Sequence, residues 1–199
     1  MNELLTLILA CLVSYIFGAL PFAHRISRSQ GIDIFSIGTG LAGASNVLKN
    51  VGRWSALMVL VFDIAKGALA VIVSGMMGVD GLWIFIPACA AIFGHWNSIF
   101  TRFKGGDGMA IAGGVAIGVF GGIGLLTLFI AGLVSLLAQK LWITSLSSIV
   151  VGFSVLFCLT RLFNKHEELA IGLVTVSLMV LGHAMRGHAR RLKLAKQSE

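Results

Sequence analysis

Residues 94–110 form the stretch best suited to chemistry, because this polar sequence, GHWNSIFTRFKGGDGMA, lies between two apolar segments. Within it, Lys104 is followed by glycines on both sides of Asp107. Successive glycines let backbone N–H groups converge on an anion, and the helix expected to begin at about Met109 adds unpaired donors and a positive dipole end. The pattern suits a phosphate group. The alternative is a flexible loop without a ligand, in which the Asp107 carboxylate caps the helix.

A second glycine-rich loop precedes it, with the sequence GTGLAGASNVLK at 38–49. Its glycines alternate with small polar residues, and Asn46 and Lys49 follow. If Ala44–Lys49 is helical, Ser45 and Lys49 are four residues apart and share a face, which offers a second anion site. Two such loops on one membrane face predict a polar pocket for a phosphorylated lipid precursor.

Other polar residues lie within or at the ends of apolar segments. Asp63 and Lys66 are three residues apart inside one segment, where charges are costly and this spacing lets them pair. The candidate proton-transfer groups are His95, Ser145 and His183, although a histidine at a span end is often only an interfacial hydrogen-bonding group. The three cysteines have no metal-ligand spacing, so we expect no metal.

Composition indicates that these residues belong to a membrane protein. The chain is 57% hydrophobic and 12% charged, with a mean hydropathy of +0.96, whereas soluble domains are about a quarter charged. We expect an all-α integral membrane protein with residues 1–199 in one transmembrane domain. The net charge of +7 fits bases that flank spans and face anionic headgroups. No basic stripe with interleaved aromatics indicates nucleic acid.

The number of spans depends on one long apolar region, Met109–Ala138. This region is either one helix or two short helices broken by glycines 121, 122 and 124, since glycine pairs are strong breakers. The remaining expected spans, at about 1.5 Å of rise per residue, are Leu4–Phe22, Trp54–Met77, Leu82–Phe93, Ile143–Thr160 and Leu169–Met185. We expect the first to be a span rather than a removed signal peptide.

The distribution of basic residues favours seven spans over six. With seven spans and the N-terminus outside, only Arg161 and Lys165 fall in outside loops, as the positive-inside rule requires. We therefore expect seven transmembrane helices, an outside N-terminus and a cytoplasmic C-terminus. Both glycine-rich loops then face the cytoplasm.

The chain resembles the PlsY family of bacterial acyl-phosphate:glycerol-3-phosphate acyltransferases over nearly its full length. The family motif GSGNxGATNVxR resembles GTGLAGASNVLK at 38–49, and GHxFPxFxxFKGGKGVA resembles GHWNSIFTRFKGGDGMA at 94–110. The family's serine motif is similar to ITSLSSI at 143–149, and its second helix to LVFDIAKGALAV at 60–71. Of the C-terminal motif HxxNIxRL, the segment HAMRGHARRL keeps only the histidine, His183.

This resemblance implies transfer of a fatty acyl group from acyl phosphate to the 1-hydroxyl of glycerol 3-phosphate. The product is lysophosphatidic acid, made for phospholipid biosynthesis in the bacterial inner membrane. The implied partners are the two substrates and membrane lipid, without an obligate protein partner. We expect no metal, no cofactor and no covalent acyl-enzyme.

The resemblance also implies roles for individual residues. Acyl phosphate is expected to be cradled by Gly105, Gly106 and Gly108. Phosphate is expected to be bound by Thr39, Lys49 and Lys104. The acceptor is expected to be positioned or activated by Ser145 and by His183, the general base. Positioning roles are expected for Asn46, which holds the first loop together, and for His95 and Asp107.

Five positions depart from the family pattern. Thr39 replaces serine and keeps a hydroxyl, whereas Leu41 replaces asparagine and loses a polar group. Lys49 replaces arginine, which keeps the charge but loses the planar fork. Asp107 replaces lysine, a change of two charges beside the expected phosphate, and Arg186 replaces asparagine. The alternatives are therefore a paralogue with a changed acceptor and a non-catalytic, lipid-binding membrane protein.

Overall fold

The computed structural model describes residues 2–137, 144–163 and 167–197. All regular structure in these ranges is helical, which confirms the predicted all-α class. The α-helices are α1 (Glu3–Ala19), α2 (Phe22–Arg28), α3 (Ala44–Asn50), α4 (Arg53–Met76), α5 (Phe85–Trp96), α6 (Met109–Phe120), α7 (Gly122–Leu137), α8 (Thr144–Leu162) and α9 (Glu167–Gln197). Short 3₁₀ helices occupy Gly81–Ile84 and Ile99–Thr101.

Three helical segments in the described ranges are long and apolar enough to cross a bilayer. They are Glu3–Arg28, Arg53–Met76 and Gly81–Thr101. Shorter apolar helices follow at Met109–Phe120, Gly122–Val134, Val150–Leu162 and Glu168–Ala184. The total of seven spans therefore stays a prediction.

The apolar region after residue 108 forms two helices rather than one. α6 ends at Phe120 and α7 begins at Gly122. Between them, Gly121 has a φ of 56°, a left-handed conformation that glycine adopts readily and other residues rarely do. The glycines alone allowed either arrangement and the distribution of basic residues favoured two helices, which the structure has. The glycine break is the physical reason for the two segments.

Glycines let the first helices pack closely. A Cβ on Gly67 of α4 would overlap the Ile111 carbonyl of α6, and a Cβ on Gly114 of α6 would overlap the Ile64 carbonyl of α4. In membranes, where lipid is as apolar as the side chains, small residues of this kind allow helix backbones to approach. α1 and α5 pack in the same way, with Gly18 of α1 directly against the Ala91 backbone.

Two buried apolar clusters flank the glycine-rich loops. The larger one is centred on α5 and α6 and includes Ile92, Ile111 and Val115, all fully buried. The smaller one lies under the first loop, where Ile34 and Val47 pack with Val59 of α4. Parts of both loops therefore pack against buried apolar residues.

The close approach of α4 and α6 predicts that Gly114→Ala destabilises the protein. The added methyl group has no space beside the Ile64 carbonyl, and overpacking of this kind costs about 1–3 kcal/mol. Thermal unfolding in detergent measures the effect. Gly132→Ala is the matched control, because nothing lies near a Cβ at that position of α7. Equal stabilities for the two variants would contradict the role assigned to this contact.

Candidate functional site

The two glycine-rich loops meet at the end of α5. The segment Lys104–Gly108, here called the KGGDG turn, pairs with both α5 and the first loop (38–49). The Gly106 N–H donates to the His95 carbonyl at 3.2 Å, and the Ala42 N–H donates to the Gly105 carbonyl at 3.0 Å. The structure therefore brings together the two loops in which the sequence placed most of the candidate binding residues.

Asn46 organises the first loop from within. Its side chain is 1% exposed, and its Oδ1 accepts hydrogen bonds from the Thr39 N–H at 3.2 Å and from Asn50 Nδ2 at 2.9 Å. Its Nδ2 lies 3.0–3.2 Å from three carbonyls, those of Ile34, Ile37 and Leu41. An amide has only two donor hydrogens, so at least one of these bonds is shared. No apolar side chain could replace this network.

The glycines of the KGGDG turn are required by close packing. A Cβ on Gly105 would overlap the His95 carbonyl, and a Cβ on Gly106 would overlap the His95 side chain. Gly108 has a φ of 92°, and a Cβ there would lie 2.6 Å from Trp96 Nε1. Packing alone thus excludes any side chain at these positions, whether or not an anion binds.

The amides of the turn are not equally available to a ligand. The Gly106 N–H is already used by the His95 carbonyl. Within the ranges that the structure describes, the N–H groups of Gly105, Asp107 and Gly108 have no protein acceptor. Three amides of the turn therefore lack a protein acceptor, whereas that of Gly106, which was predicted to take part in the same phosphate site, already has one.

The Asp107 side chain caps α6. Its Oδ1 accepts a hydrogen bond from the Met109 N–H at 3.1 Å, which satisfies one of the unpaired donors at a helix start. The capping role that the sequence allowed for Asp107 is confirmed. The carboxylate nevertheless leaves a negative charge beside the open amides.

The predicted phosphate-binding side chains lie at or near the loop surface. Lys104 is exposed, and its Nζ lies 5.8 Å from the ring of Phe35. Thr39 is half-buried, and its Oγ1 accepts a hydrogen bond from the Leu41 N–H at 3.4 Å. Lys49 is exposed near the end of α3. Both lysines can therefore meet a ligand from solvent, whereas the Thr39 hydroxyl also supports the loop.

A buried charged cluster lies beneath the turn. Lys66 Nζ is 2.8 Å from Asp63 Oδ1, which confirms the predicted pair, and also lies 2.9 Å from His95 Nδ1 and 3.2 Å from the Leu20 carbonyl. The three ionisable side chains are only 2–5% exposed. An ammonium can only donate, so His95 Nδ1 accepts and the neutral ring carries its proton on Nε2. The sequence did not predict that His95 joins this pair.

The cluster and the turn share one small cavity. Its walls include Asp63, Lys66 and His95 from below and Gly105 and Gly106 from above. The volume is about 10 Å³, roughly the space that one water occupies. His95 is thus buried at 5% exposure and hydrogen-bonded to Lys66, and it contacts the turn from inside the protein.

His183 contacts Trp96, a residue next to the KGGDG turn that the sequence analysis did not identify as part of the site. The ring of Trp96 stacks on that of His183, with centroids 4.1 Å apart and planes 9° from parallel. Trp96 Nε1 donates to the Asp107 carbonyl at 3.0 Å. The only available signal was an aromatic residue ending the helix before the turn, a pattern with many structural explanations.

Two further candidate residues lie on the last two helices. Ser145 lies on α8 and Arg186 on α9, but both side chains fall outside the described residues. Among the residues that are described, no three histidine, cysteine or carboxylate groups converge as metal ligands would.

An apolar cavity of about 120 Å³ begins beside the turn and lies among α6, α7, α8 and α9. Its rim includes Met109, the residue after the turn, and Val180 of α9. Its walls are mostly small or aliphatic, with Gly113 and Ala116 on α6 and Gly152 on α8. A polar turn and an apolar cavity are therefore neighbours in this structure.

The family model and the related sequences described here are all glycerol-3-phosphate acyltransferases. A family model described as glycerol-3-phosphate acyltransferase matches residues 8–193. The glycerol-3-phosphate acyltransferase of Prochlorococcus marinus (strain MIT 9312) is 35% identical over 195 residues, 96% of each chain. That of Geotalea daltonii is 30% identical over 181 residues, 90% of each chain. Glycerol-3-phosphate acyltransferase 1 of Deinococcus radiodurans is 41% identical over 127 residues, 64% of each chain.

Two crystal structures of PlsY (YgiH), an integral membrane glycerol 3-phosphate acyltransferase, share the fold. The glycerol 3-phosphate form has a TM-score of 0.74 at 23% identity and covers 94% of this chain and 92% of that one. The lysophosphatidic acid form has the same TM-score at 22% identity. Together with the apolar helices, this likeness indicates a multi-pass membrane protein. The family model and the relatives at 30% identity or more show that this chain belongs to the glycerol-3-phosphate acyltransferase family.

Proposed function

We propose that this protein transfers a fatty acyl group from acyl phosphate to the 1-hydroxyl of glycerol 3-phosphate, forming lysophosphatidic acid. One observation carries the proposal: the KGGDG turn, which begins with the exposed Lys104 and has amides without a protein acceptor, is joined through Trp96 to the stacked His183. Family membership supports the acyltransferase activity and the acceptor. The acyl phosphate donor and the acylation of the 1-hydroxyl are inferred from the resemblance to the PlsY family.

The proposed reaction is a direct transfer. Lys104 and the amides of Gly105 and Gly108 bind the donor phosphate, which is a good leaving group. The acceptor oxygen forms a bond to the acyl carbon, the bond from that carbon to the phosphate oxygen breaks, and inorganic phosphate leaves. The proton of the hydroxyl passes to His183. Catalysis then consists mainly of positioning and charge stabilisation.

The apolar cavity gives the donor chain a place beside the turn. Its rim at Met109 follows the turn directly, so a phosphate at the amides would lie at the mouth of an apolar space. Small residues line the wall at Gly113, Ala116 and Gly152. We assign the first carbons of the acyl chain to this cavity.

The order of the helices supports a site on one membrane face. α4 runs away from the first loop, the short Gly81–Ile84 segment reverses the chain, and α5 returns to the KGGDG turn. The distribution of basic residues favours the cytoplasmic side for both loops. We therefore propose a protein of the bacterial inner membrane with seven spans, an outside N-terminus and a cytoplasmic active site.

A related acyltransferase with a changed acceptor is the second candidate. Asp107 favours it, because a carboxylate lies where the family motif has lysine, beside amides that would hold a phosphate. A carboxylate about 4 Å from a phosphate repels it by about 1 kcal/mol per charge even at the dielectric constant of water. A non-catalytic lipid-binding role would follow only if no acceptor is used.

The direct test of the proposal uses purified protein in lipid, acyl phosphate and radiolabelled glycerol 3-phosphate, with lysophosphatidic acid as the scored product. We expect product from the wild type and a loss of roughly a hundredfold or more in His183→Ala, as for removal of a general base. Thermal unfolding verifies that both proteins are folded. No product from folded wild-type protein would overturn the proposed reaction, and full activity in His183→Ala would remove that residue from it.

Replacement of Lys104 tests phosphate binding. Lys104→Ala should raise KM for acyl phosphate by roughly tenfold or more, since a hydrogen bond to a charged group contributes about 1.5–3 kcal/mol. Arg102→Ala is the matched control, because it removes an equally charged, exposed side chain two residues away. If both variants raise KM equally, only the general charge of the loop matters. If Lys104→Ala leaves KM unchanged, Lys104 does not bind the donor.

Asp107 can be tested so that its charge and its cap are separated. Asp107→Asn keeps an oxygen for the Met109 N–H but removes the charge, so KM for acyl phosphate should fall by roughly fivefold. Asp107→Lys should lower KM further while losing the cap, which costs about 0.5–2 kcal/mol of stability. Steady-state kinetics and thermal unfolding measure the two effects. A lower kcat in Asp107→Asn would instead give the carboxylate a part in the reaction and favour the changed acceptor.

A further inference from the structure

Trp96 joins the KGGDG turn to α9. It is the last residue of α5, and its side chain is half-buried. One edge of its indole donates from Nε1 to the Asp107 carbonyl at 3.0 Å. One face stacks on the ring of His183 at a centroid distance of 4.1 Å. The residue thus contacts the proposed phosphate site and the proposed base at once.

The indole is held in one orientation by the turn. The hydrogen bond to the Asp107 carbonyl fixes the edge that carries Nε1. Gly108 leaves room for that edge, because a Cβ there would lie 2.6 Å from Nε1. The plane of the indole is therefore set by the backbone of the turn and not only by its own rotamer preference.

The stack in turn restricts the plane of the His183 ring. His183 is exposed on α9, and the second side-chain torsion of an unrestrained histidine is broad. A near-parallel stack, 9° here, covers a face of the imidazole and restricts that torsion. Both ring nitrogens lie at the edge of an imidazole, so stacking orients the ring without using either nitrogen.

We propose that Trp96 is a positioning residue that holds the His183 imidazole in the orientation needed to accept the proton of the acceptor hydroxyl. This inference rests on the proposed function, because it assigns Trp96 a part in the same proton transfer. Trp96 touches neither reacting atom in this scheme. It acts through His183, because it fixes the position of the imidazole ring relative to the KGGDG turn, where the phosphate is proposed to bind.

A purely structural role for Trp96 makes different predictions. α9 also reaches the turn through Val180, whose Cγ1 lies 3.5 Å from the position of a Cβ on Gly108. If Trp96 served only to dock α9, its loss would lower stability and affect every kinetic constant through the amount of folded protein. The factors by which the loss of Trp96 and the loss of His183 each lower kcat would then multiply in the double variant.

The first experiment separates kcat from KM. Trp96→Leu should lower kcat by about ten- to a hundredfold, as misplacement of a catalytic group by about 1 Å does, while KM for acyl phosphate changes less than about threefold. Trp96→Phe should recover most of kcat, because a phenyl ring still stacks. Trp83→Leu is the control, since Trp83 is an exposed tryptophan in the 3₁₀ helix Gly81–Ile84, which precedes α5, whereas Trp96 ends α5. A wild-type kcat in Trp96→Leu would overturn the proposal.

A double-mutant cycle tests whether the effect passes through His183. In a His183→Ala background, Trp96→Leu should change kcat less than about threefold, because the group that it orients is already gone. If the two losses multiply in full, Trp96 acts independently of His183 and the proposal is wrong. Thermal unfolding of all four proteins corrects each kcat for the folded fraction.

Tryptophan emission keeps this inference separate from the proposed function. The Trp96 contribution is the difference between wild type and Trp96→Phe, and a stacked imidazole alters it. We expect that contribution to change in His183→Ala, and an unchanged contribution would show that the stack does not form. If emission changes while the wild type makes no lysophosphatidic acid, the ordering of His183 stands and the proposed reaction fails. If product forms but the Trp96 emission is unchanged in His183→Ala and kcat is unchanged in Trp96→Leu, only the positioning role fails.

Discussion

The site depends on the direct contact between the backbone of the KGGDG turn and the end of α5. The Gly106 N–H donates to the His95 carbonyl, and no atom larger than hydrogen fits on the Cα of Gly105 or Gly106. In the described ranges, the neighbouring amides of Gly105, Asp107 and Gly108 have no protein acceptor. The absence of space thus explains the glycines, and the unpaired donors lie beside the same contact.

The buried charges support this contact from below. Asp63 and Lys66 neutralise each other, and Lys66 also holds the imidazole of the residue whose carbonyl binds the turn. Burying two charges in a membrane segment is costly unless each is paired and hydrogen-bonded. The arrangement meets this requirement with partners from α4, α5 and Leu20, the residue after α1, so it also fixes how these helices meet beneath the site.

Local spacing predicted some of this structure, and long-range packing accounts for what it missed. The Asp63–Lys66 pair and the Asp107 cap follow from separations of two or three residues, which helix geometry determines. The helical class follows from the apolar composition, and the break near residue 121 follows from the closely spaced glycines at 121, 122 and 124. The contacts of Lys66 with His95 and of Trp96 with His183 join distant parts of the chain. No local pattern encodes them, because they depend on which helices become neighbours.

The charged cluster lies well along α4 from the start of that helix. Asp63 follows Arg53, the first residue of α4, by ten residues, which corresponds to about 15 Å of helix. Asp63, which lines a cavity together with the turn, is therefore separated from the first residue of α4 by about half the thickness of a hydrocarbon core of about 30 Å. In the proposed reaction the donor carries an apolar tail and the acceptor is water-soluble, so the two substrates would reach the turn from different phases.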